Sequence, residues 1–526
     1  MTPQFDTIIV GAGSAGCALA ARLTEDPAHK VLLIEAGGRD LDPAVHIPAG
    51  IVRLIGNPKA DWAHLAEPDP SRGGKVDLWP AGKMIGGSSS INGMLWVRGA
   101  ASDFDGWAAL GNPGWDAASL LPLFRRMETS YIGGQWRGQL GPQQVGPLRS
   151  THSLAAPFIK ASEAAGLPYN PDYNGATQEG VSPPQVTQKD GMRWSAADGY
   201  LKPALKRPNL TLLTRAEARR ILLDGKRATG LEYTHRGKTH SAHASEVVLC
   251  AGSLASPKLL MLSGIGPADE LKAHGIEVVH HLPVGHNLAE HPNANMSWDV
   301  HTRTYNMETS GPRMALALAR WALTRRGPAT SPYPHAVAFF RSHEDVPHPD
   351  IQLMFGPFAF SFSPEGVVPY KKPAVTVVAA LNHPSGRGQL RLRSSNPSDA
   401  PVIDHQLLAH PDDIARLTRA CRFVRAIFAQ EPLASHIIRE RLPGPVCQSD
   451  EDWAHHLRET TFLGYHPIGT CTMGPEGVVD HELRVHGIAG LRVADASIMP
   501  APISGNTNAA SMMIGEKAAD LIRAAA

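Results

Sequence analysis

The 526 residues carry 50 Lys and Arg against 49 Asp and Glu, a net charge of +1 that offers no electrostatic footprint for nucleic acid or an anionic membrane. Apolar residues at 43% and charged residues at 19% exclude a disordered chain, and the length exceeds one typical core, so at least two domains are expected. No window of about 18 apolar residues occurs, and the apolar run at residues 8–10 is too short for a leader core, so a transmembrane segment and a signal peptide are not expected and the default location is cytoplasmic.

Residues 6–10 read as a short buried strand, 11–16 as a turn, 14–23 as a helix and 30–34 as a second strand ending at Glu35, which together make a βαβ unit. The chain is then loop-like and glycine-rich to about residue 100. A tract with Trp107, Pro113 and Trp115 leads into a helical segment at 118–127. Strand-like runs return at 209–213 and 246–250, the second followed by a Gly-Ser turn and a helical stretch at 256–262, so the first domain resumes there. Between about 296 and 455, alternating segments such as 351–354, 374–381 and 388–393 predict a mostly antiparallel sheet with helices. A last strand at 491–493 precedes Asp495, a polar loop and a helix at 508–525, in which Met513, Ile514, Ala518 and Leu521 recur at helical spacing. The end of the chain thus repeats the pattern of its beginning, and the two domains interleave. Cys17, Cys250, Cys421, Cys447 and Cys471 are odd in number and free of any CxxC pair, which argues against a disulfide framework or a zinc site.

Gly11, Gly13 and Gly16, with Ser14 and Ala15 between, directly follow a strand and open a helix. They permit a tight turn, close backbone approach to a pyrophosphate and tight packing of helix on strand. Glu35, followed by Ala36, ends the second strand where a carboxylate can accept hydrogen bonds from both ribose hydroxyls of an adenosine. This fingerprint does not separate NAD from FAD, which share the adenosine diphosphate half. A second loop from Gly82 to Asn92, rich in glycine and serine and including Met84, Gly86, Gly87 and Ser88, can wrap a second phosphate or a flavin edge with backbone N–H groups, although its composition also fits a flexible connection.

These two segments, the stretch 252–266 and the C-terminal region 465–516 resemble the glucose-methanol-choline (GMC) family of FAD-dependent oxidoreductases, and within it the choline dehydrogenase-like alcohol dehydrogenases, over essentially the whole chain. The resemblance implies an α/β fold. A Rossmann-like FAD domain (residues 1–105, 205–295 and 456–526) interleaves with a substrate domain (106–204 and 296–455) built on a mostly antiparallel sheet. It implies flavin-edge contacts from Gly86, Gly87, Ser88, Asn92, Gly93, Met94 and Leu95, an adenine contact from the backbone of Ala218, and further cofactor contacts from Ala251, Gly252, Tyr465 and the Asp495-Ala496 pair. Thr507 and Asn508 open the last helix, whose N–H groups and positive dipole end suit the flavin's pyrimidine edge. The segment 284–288 with His291 matches a family stretch taken to be structural. Ile91 stands where some relatives carry a histidine tethered to the flavin, so the FAD is expected to be non-covalent.

In the same resemblance His466, followed by Pro467, falls on the active-site histidine and Asn506 on the second active-site position. An alcohol becomes a good hydride donor as its hydroxyl proton leaves, which calls for a base of near-neutral pKa, and Asn506 can donate to the developing alkoxide. The expected reaction is oxidation of a primary alcohol to the aldehyde with hydride transfer to flavin N5. Oxygen or a quinone- or dye-type acceptor then takes the electrons, with a dehydrogenase favoured over an oxidase acting on aryl or furanic alcohols. An FAD-containing hydroxynitrile lyase is the alternative outside redox chemistry. Phe358 and Phe360, with Phe362 and Tyr465, are candidates for the pocket lining, although alternating aromatics also mark one face of a strand. No metal site and no nucleic-acid partner is expected.

Overall fold

The computed structural model describes residues 4–331, 333–363 and 366–525. Its N-terminal unit is β1 (Phe5–Val10), α1 (Ser14–Leu23) and β2 (Val31–Glu35). The chain returns through β3 (Leu210–Thr214), β4 (Ala216–Asp224), β5 (Arg227–His235), β6 (Lys238–Leu249) and α2 (Gly252–Leu262). It then leaves to build β7 (Pro292–Val300), β8 (Ala336–Phe340), β9 (Ile351–Gly356), β10 (Ala374–Leu381), α3 (Pro411–Phe428) and β11 (Ile437–Leu442). The return is completed by β12 (Leu491–Val493) and α4 (Asn508–Ala525).

The first sheet has the order β3-β2-β1-β6-β5-β4, with β12 also on β6. β6 belongs to two patterns. Its residues 244–249 lie parallel to β1 and β12, while residues 238–243 run antiparallel to β5. An exposed antiparallel ribbon, β4 to β6, is thereby fused to a buried parallel core whose strands are almost wholly apolar. α2 begins four residues earlier than the sequence reading placed it, because the Asp495 carboxylate accepts the Gly252 N–H at 2.9 Å. Pro257 lies inside this helix. The carbonyl it leaves without an intrahelical partner, that of Ser253, accepts the Thr470 hydroxyl at 2.7 Å.

The second sheet is antiparallel throughout, in the order β11-β7-β10-β9-β8 followed by the strand Gly180–Ser182, and Phe462–Leu463 pairs with the start of β7. Both faces are buried, for different purposes. Met296, Trp298, Leu353 and Phe355 point to the outer side, against α3 and the helix Ala155–Ala164. There Phe158 stacks on Phe355 at 4.5 Å and Phe428 on Trp298 at 3.6 Å. The inner face carries Val337, Phe339, Met354, Val378 and Ala380 together with Asn293, Asn295 and Gln352. No helix among the described residues is long and apolar enough to cross a membrane. All five cysteines are free and buried.

The parallel sheet and its helices meet through glycines. A Cβ at Gly16 would collide with the Gly11 carbonyl oxygen, and one at Gly515 with that of Ala15, where α4 crosses α1. Gly16→Ala should therefore destabilise the fold by about 1–3 kcal/mol. The check is the Tm of purified protein, and an unchanged Tm would show that the turn can relax.

Candidate active site

The two glycine-rich turns form one surface. The Gly86 N–H donates to the Ala12 carbonyl at 2.7 Å, and a Cβ on Gly87 would lie 2.7 Å from the Cα of Gly13. Gly86 (φ +85°) and Gly87 (φ +52°) both adopt left-handed backbone, so loop 82–92 approaches residues 11–16 as bare main chain. Glu35 stands at the end of β2 beside the turn: one carboxylate oxygen accepts the Ala12 N–H at 2.9 Å and the other the Gly37 N–H at 2.8 Å, while burial pushes its pKa up to about 7. β4 shifts register between Ala218 and Arg220, which loosens the ladder beside Ala218. The Ser14 hydroxyl donates to Asn508 Oδ1 at 2.7 Å, so the N-terminal ends of α1 and α4, with Thr507 just ahead, converge on the same cradle. Bare backbone, two helix N-termini and a carboxylate at the strand end fit the pyrophosphate and adenosine of FAD.

Other expected contacts have a visible structural task. Asp495 accepts from Gly252 N–H and Ser256 Oγ on one oxygen and from Ser497 N–H and Oγ on the other, clamping α2 next to Ala251 and Ala496. Asn92 Oδ1 accepts from the Met94 N–H at 3.0 Å and from Arg193 at 2.8 Å, which holds the left-handed Met94 (φ +62°) between Gly93 and Leu95. Ser88 Oγ accepts the Gly82 N–H at 3.2 Å. Ile91 packs with Met84, Val45 and Leu54 in a small apolar cluster.

His466 is positioned by its main chain. Its N–H donates to both carboxylate oxygens of Glu290, at 2.9 and 2.8 Å, and Glu290 also accepts the His291 N–H at 2.7 Å. Burial pushes Glu290 up to about 8, opposed by these backbone donors. Tyr465, just before, is left-handed (φ +64°). Gly464 has a purpose the sequence reading missed. A Cβ there would lie 3.0 Å from His466 Nδ1 and 3.1 Å from the Cβ of His291, so the glycine lets the two rings meet. Asn506 is delivered by the preceding turn, in which Asp103 accepts from the Ser504 N–H at 2.7 Å and Gly505 is left-handed (φ +134°).

The side chains form a row of fixed polarity. His466 Nε2 lies 3.0 Å from Asn506 Nδ2, and an amide nitrogen only donates, so Nε2 is the acceptor and carries no proton. Asn506 is turned this way because its Oδ1 accepts from Gln352 Nε2 at 3.2 Å. The His466 proton is therefore on Nδ1, which faces His291 Nδ1 at 3.1 Å, and His291 in turn hydrogen-bonds the Asn382 backbone. Burial pushes His466 down to about 4, and burial with the neighbouring rings holds His291 well below the usual histidine range, so both rings are neutral near pH 7.

The fold thus brings His466 and Asn506 together from 40 positions apart and adds Glu290, His291 and Gln352, none of which the sequence singled out for chemistry. Phe358 and Phe360 lie beyond the end of β9 with ring centroids 5.9 Å apart. Phe358 is six residues along from Gln352, roughly 20 Å at strand rise. Phe355, in the same aromatic run, faces the outer core, and the side chain of Phe362 lies outside the described residues.

Family models described as GMC oxidoreductase match residues 5–293 and 384–515. The chain belongs to the GMC oxidoreductase family. It is 41% identical over 536 residues to the human mitochondrial choline dehydrogenase, covering 99% of this chain and 90% of that protein. It is 43% identical over 530 residues to an oxygen-dependent choline dehydrogenase of Sinorhizobium medicae, covering 99% and 95%. Among solved structures, pyridoxine 4-oxidase from Mesorbium loti superposes with a TM-score of 0.90 at 33% identity over 99% of both chains. A fungal aryl-alcohol oxidase superposes at 0.84 with 26% identity, also over 99% of both. This GMC oxidoreductase is accordingly an FAD-dependent enzyme acting on CH–OH donors.

The buried Glu290 gives the GMC site a pH signature. Its pKa rises on folding, so its contribution to stability is full below about 4.5 and is lost as pH rises through about 8. Glu290→Gln should flatten the fall in Tm across that window. Parallel Tm-against-pH curves for variant and parent would contradict the assignment.

Proposed function

We propose that the enzyme oxidises a primary alcohol to the aldehyde with His466 as the general base and Asn506 as the group orienting the substrate oxygen. The observation that carries this reading is the unprotonated His466 Nε2 held 3.0 Å from the donor Nδ2 of Asn506. A hydroxyl placed against both gives its proton to Nε2 while its oxygen accepts from Nδ2, so the alkoxide forms beside a donor already aimed at it. When bound, FAD takes the hydrogen and two electrons of the C–H bond, and an external acceptor, oxygen or a quinone or dye, removes them afterwards. Gly11, Gly13, Ser14, Ala15, Gly16 and Glu35 would hold the adenosine diphosphate half. Gly82 to Leu95, with Tyr465, Asp495, Ala496, Thr507 and Asn508, would hold the flavin half. We assign residues 1–105, 205–295 and 456–526 to that cofactor domain and 106–204 and 296–455 to the substrate domain. We favour a dehydrogenase over an oxidase, in keeping with the human choline dehydrogenase relative, while the bacterial relative is named oxygen-dependent.

His466→Ala should lower kcat roughly 100- to 10,000-fold, and Asn506→Ala about 100-fold or more, with the oxidised flavin band retained in both. Anaerobic bleaching of that band by an alcohol panel measures the step directly. Cyanohydrin cleavage without bleaching would instead favour a lyase. Because desolvation depresses His466, kcat/KM should hold down to acidic pH and fall as pH drops towards about 4, where Nε2 takes a proton. An acid limb centred above 6.5 would count against His466 as a desolvated base. With Ile91 at the tethering position, acid precipitation should leave the flavin in the supernatant, and a yellow pellet would refute non-covalent binding.

A further inference from the structure

The inner face of the second sheet is the wall that meets the catalytic pair, since Gln352 on β9 touches Asn506. In register with Gln352 lie Ala380 on β10 and Asn293 on β7, and the next row holds Met354, Val378 and Asn295. The centre of this wall is apolar, with Val337 and Phe339 continuing it on β8. Its polar members are neutral and under-used. Asn293 Oδ1, Asn295 Oδ1 and Gln352 Oε1 are buried acceptors without a partner among the described residues, and their residues are exposed by 4, 3 and 1%. The polarity of the catalytic row leaves Gln352 no choice, because its Nε2 is given to Asn506 and its Oε1 remains open. Ala380 is the small residue between two amides, which stand two inter-strand spacings apart, roughly 10 Å.

Among the described residues, the inward-facing positions of these two rows carry no charge. Glu290 turns both oxygens onto backbone N–H groups of His466 and His291, and Asp350, two residues before Gln352, accepts from the Ser342 N–H and hydroxyl at 2.6 Å each. Asp299 shares the parity of Asn293 on β7 but lies six residues away and is gripped by Arg439 at 2.8 Å and Arg441 at 2.6 Å. A quaternary ammonium ion brought to this face would lose its hydration without gaining a counter-charge, and only aromatic rings such as Phe339, Tyr173, Tyr333 and Phe462 would offset that loss. Unpaired carbonyl oxygens instead ask for O–H or N–H donors.

We propose that the substrate is an uncharged alcohol with an apolar body and at least one further hydroxyl or N–H group, which donates to the amide oxygens of Asn293 and Gln352. This rests on the alcohol-oxidation reading above and narrows it, separating this chain in substrate class from the choline dehydrogenases it is similar to. The test is anaerobic reduction of the holoenzyme's flavin by four probes: choline, its neutral isostere 3,3-dimethylbutan-1-ol, benzyl alcohol and 3-hydroxybenzyl alcohol. The isostere should exceed choline at least tenfold in second-order rate, and 3-hydroxybenzyl alcohol should exceed benzyl alcohol about tenfold. Asn293→Ala should collapse the second ratio to within about twofold, and Asn293→Asp should move the first at least tenfold towards choline. Both readouts are ratios within one protein, so a partial loss of folded material does not alter them. Choline reducing the flavin fastest, or ratios indifferent to position 293, overturns this inference alone. No reduction by any of the four overturns the alcohol reading itself.

Discussion

Backbone approaches backbone at the C-terminal edge of the parallel sheet with nothing between, and the site depends on that closeness. Gly16 lies on the Gly11 carbonyl, Gly87 on Gly13, Gly11 on the carbonyl of Cys250, and Gly515 on Ala15. Four stretches from the beginning, middle and end of the chain thus share one small volume, and a glycine on one side of each approach makes it possible. A pyrophosphate demands this arrangement, for it is bound by main-chain N–H groups and helix ends. The interleaved chain order follows from the same requirement. β6 and β12 must flank β1 to carry Gly252 and Asp495 to the cradle, and the substrate sheet must fit into the interval between them.

On the other side of the cofactor site, precision comes from polarity. An imidazole has two tautomers, and a base that holds its proton on the wrong nitrogen is useless. Gln352 donates to Asn506, Asn506 to His466, and His466 to His291, so the first donor sets every later one. Glu290 adds the geometric part by holding the His466 main chain. Burying a carboxylate is costly, and two backbone N–H groups, of His466 and His291, return part of that cost while fixing the position of Tyr465-His466. The proposed base is thus neutral before substrate arrives, with its Nε2 lone pair turned to the Asn506 amide that would share the substrate oxygen.

The parts legible in the sequence were those with a local signature. α1, β12 and α4 fell on the expected residues because a glycine turn, a short apolar run and a helical repeat declare themselves within ten to eighteen residues. β4 and β5 were missed. Their residues include Arg219, Arg220, Asp224, Arg227 and Glu232, a solvated ribbon in which neither period stands out. The start of α2 was placed late because Pro257 looks like a first-turn residue, and only the distant Asp495 and Thr470 reveal why the helix begins before it. His466 and Asn506 were found through motif likeness. Gln352 was hidden as one polar residue in a buried strand, and His291 met His466 only across 175 positions.

That difference in legibility explains why resemblance fixes the cofactor so much better than the substrate. Gly11, Gly16, Gly87 and Gly515 each face main-chain atoms of another segment already in place, and a replacement must move two segments at once, so the cradle and the family likeness travel together. The inner wall of the second sheet has no such coupling. Its side chains stand on strands joined by main-chain hydrogen bonds and packed on their outer face, so under the proposed substrate assignment one exchange at position 293 changes the inward charge and donor pattern without touching either. Structures named for pyridoxine, formate and aryl alcohols all superpose on this chain with TM-scores from 0.84 to 0.91. A scaffold shared that closely among enzymes named for such different molecules cannot itself be what selects the substrate, and the proposed assignment puts that selection on inward-facing side chains of β7 and β9.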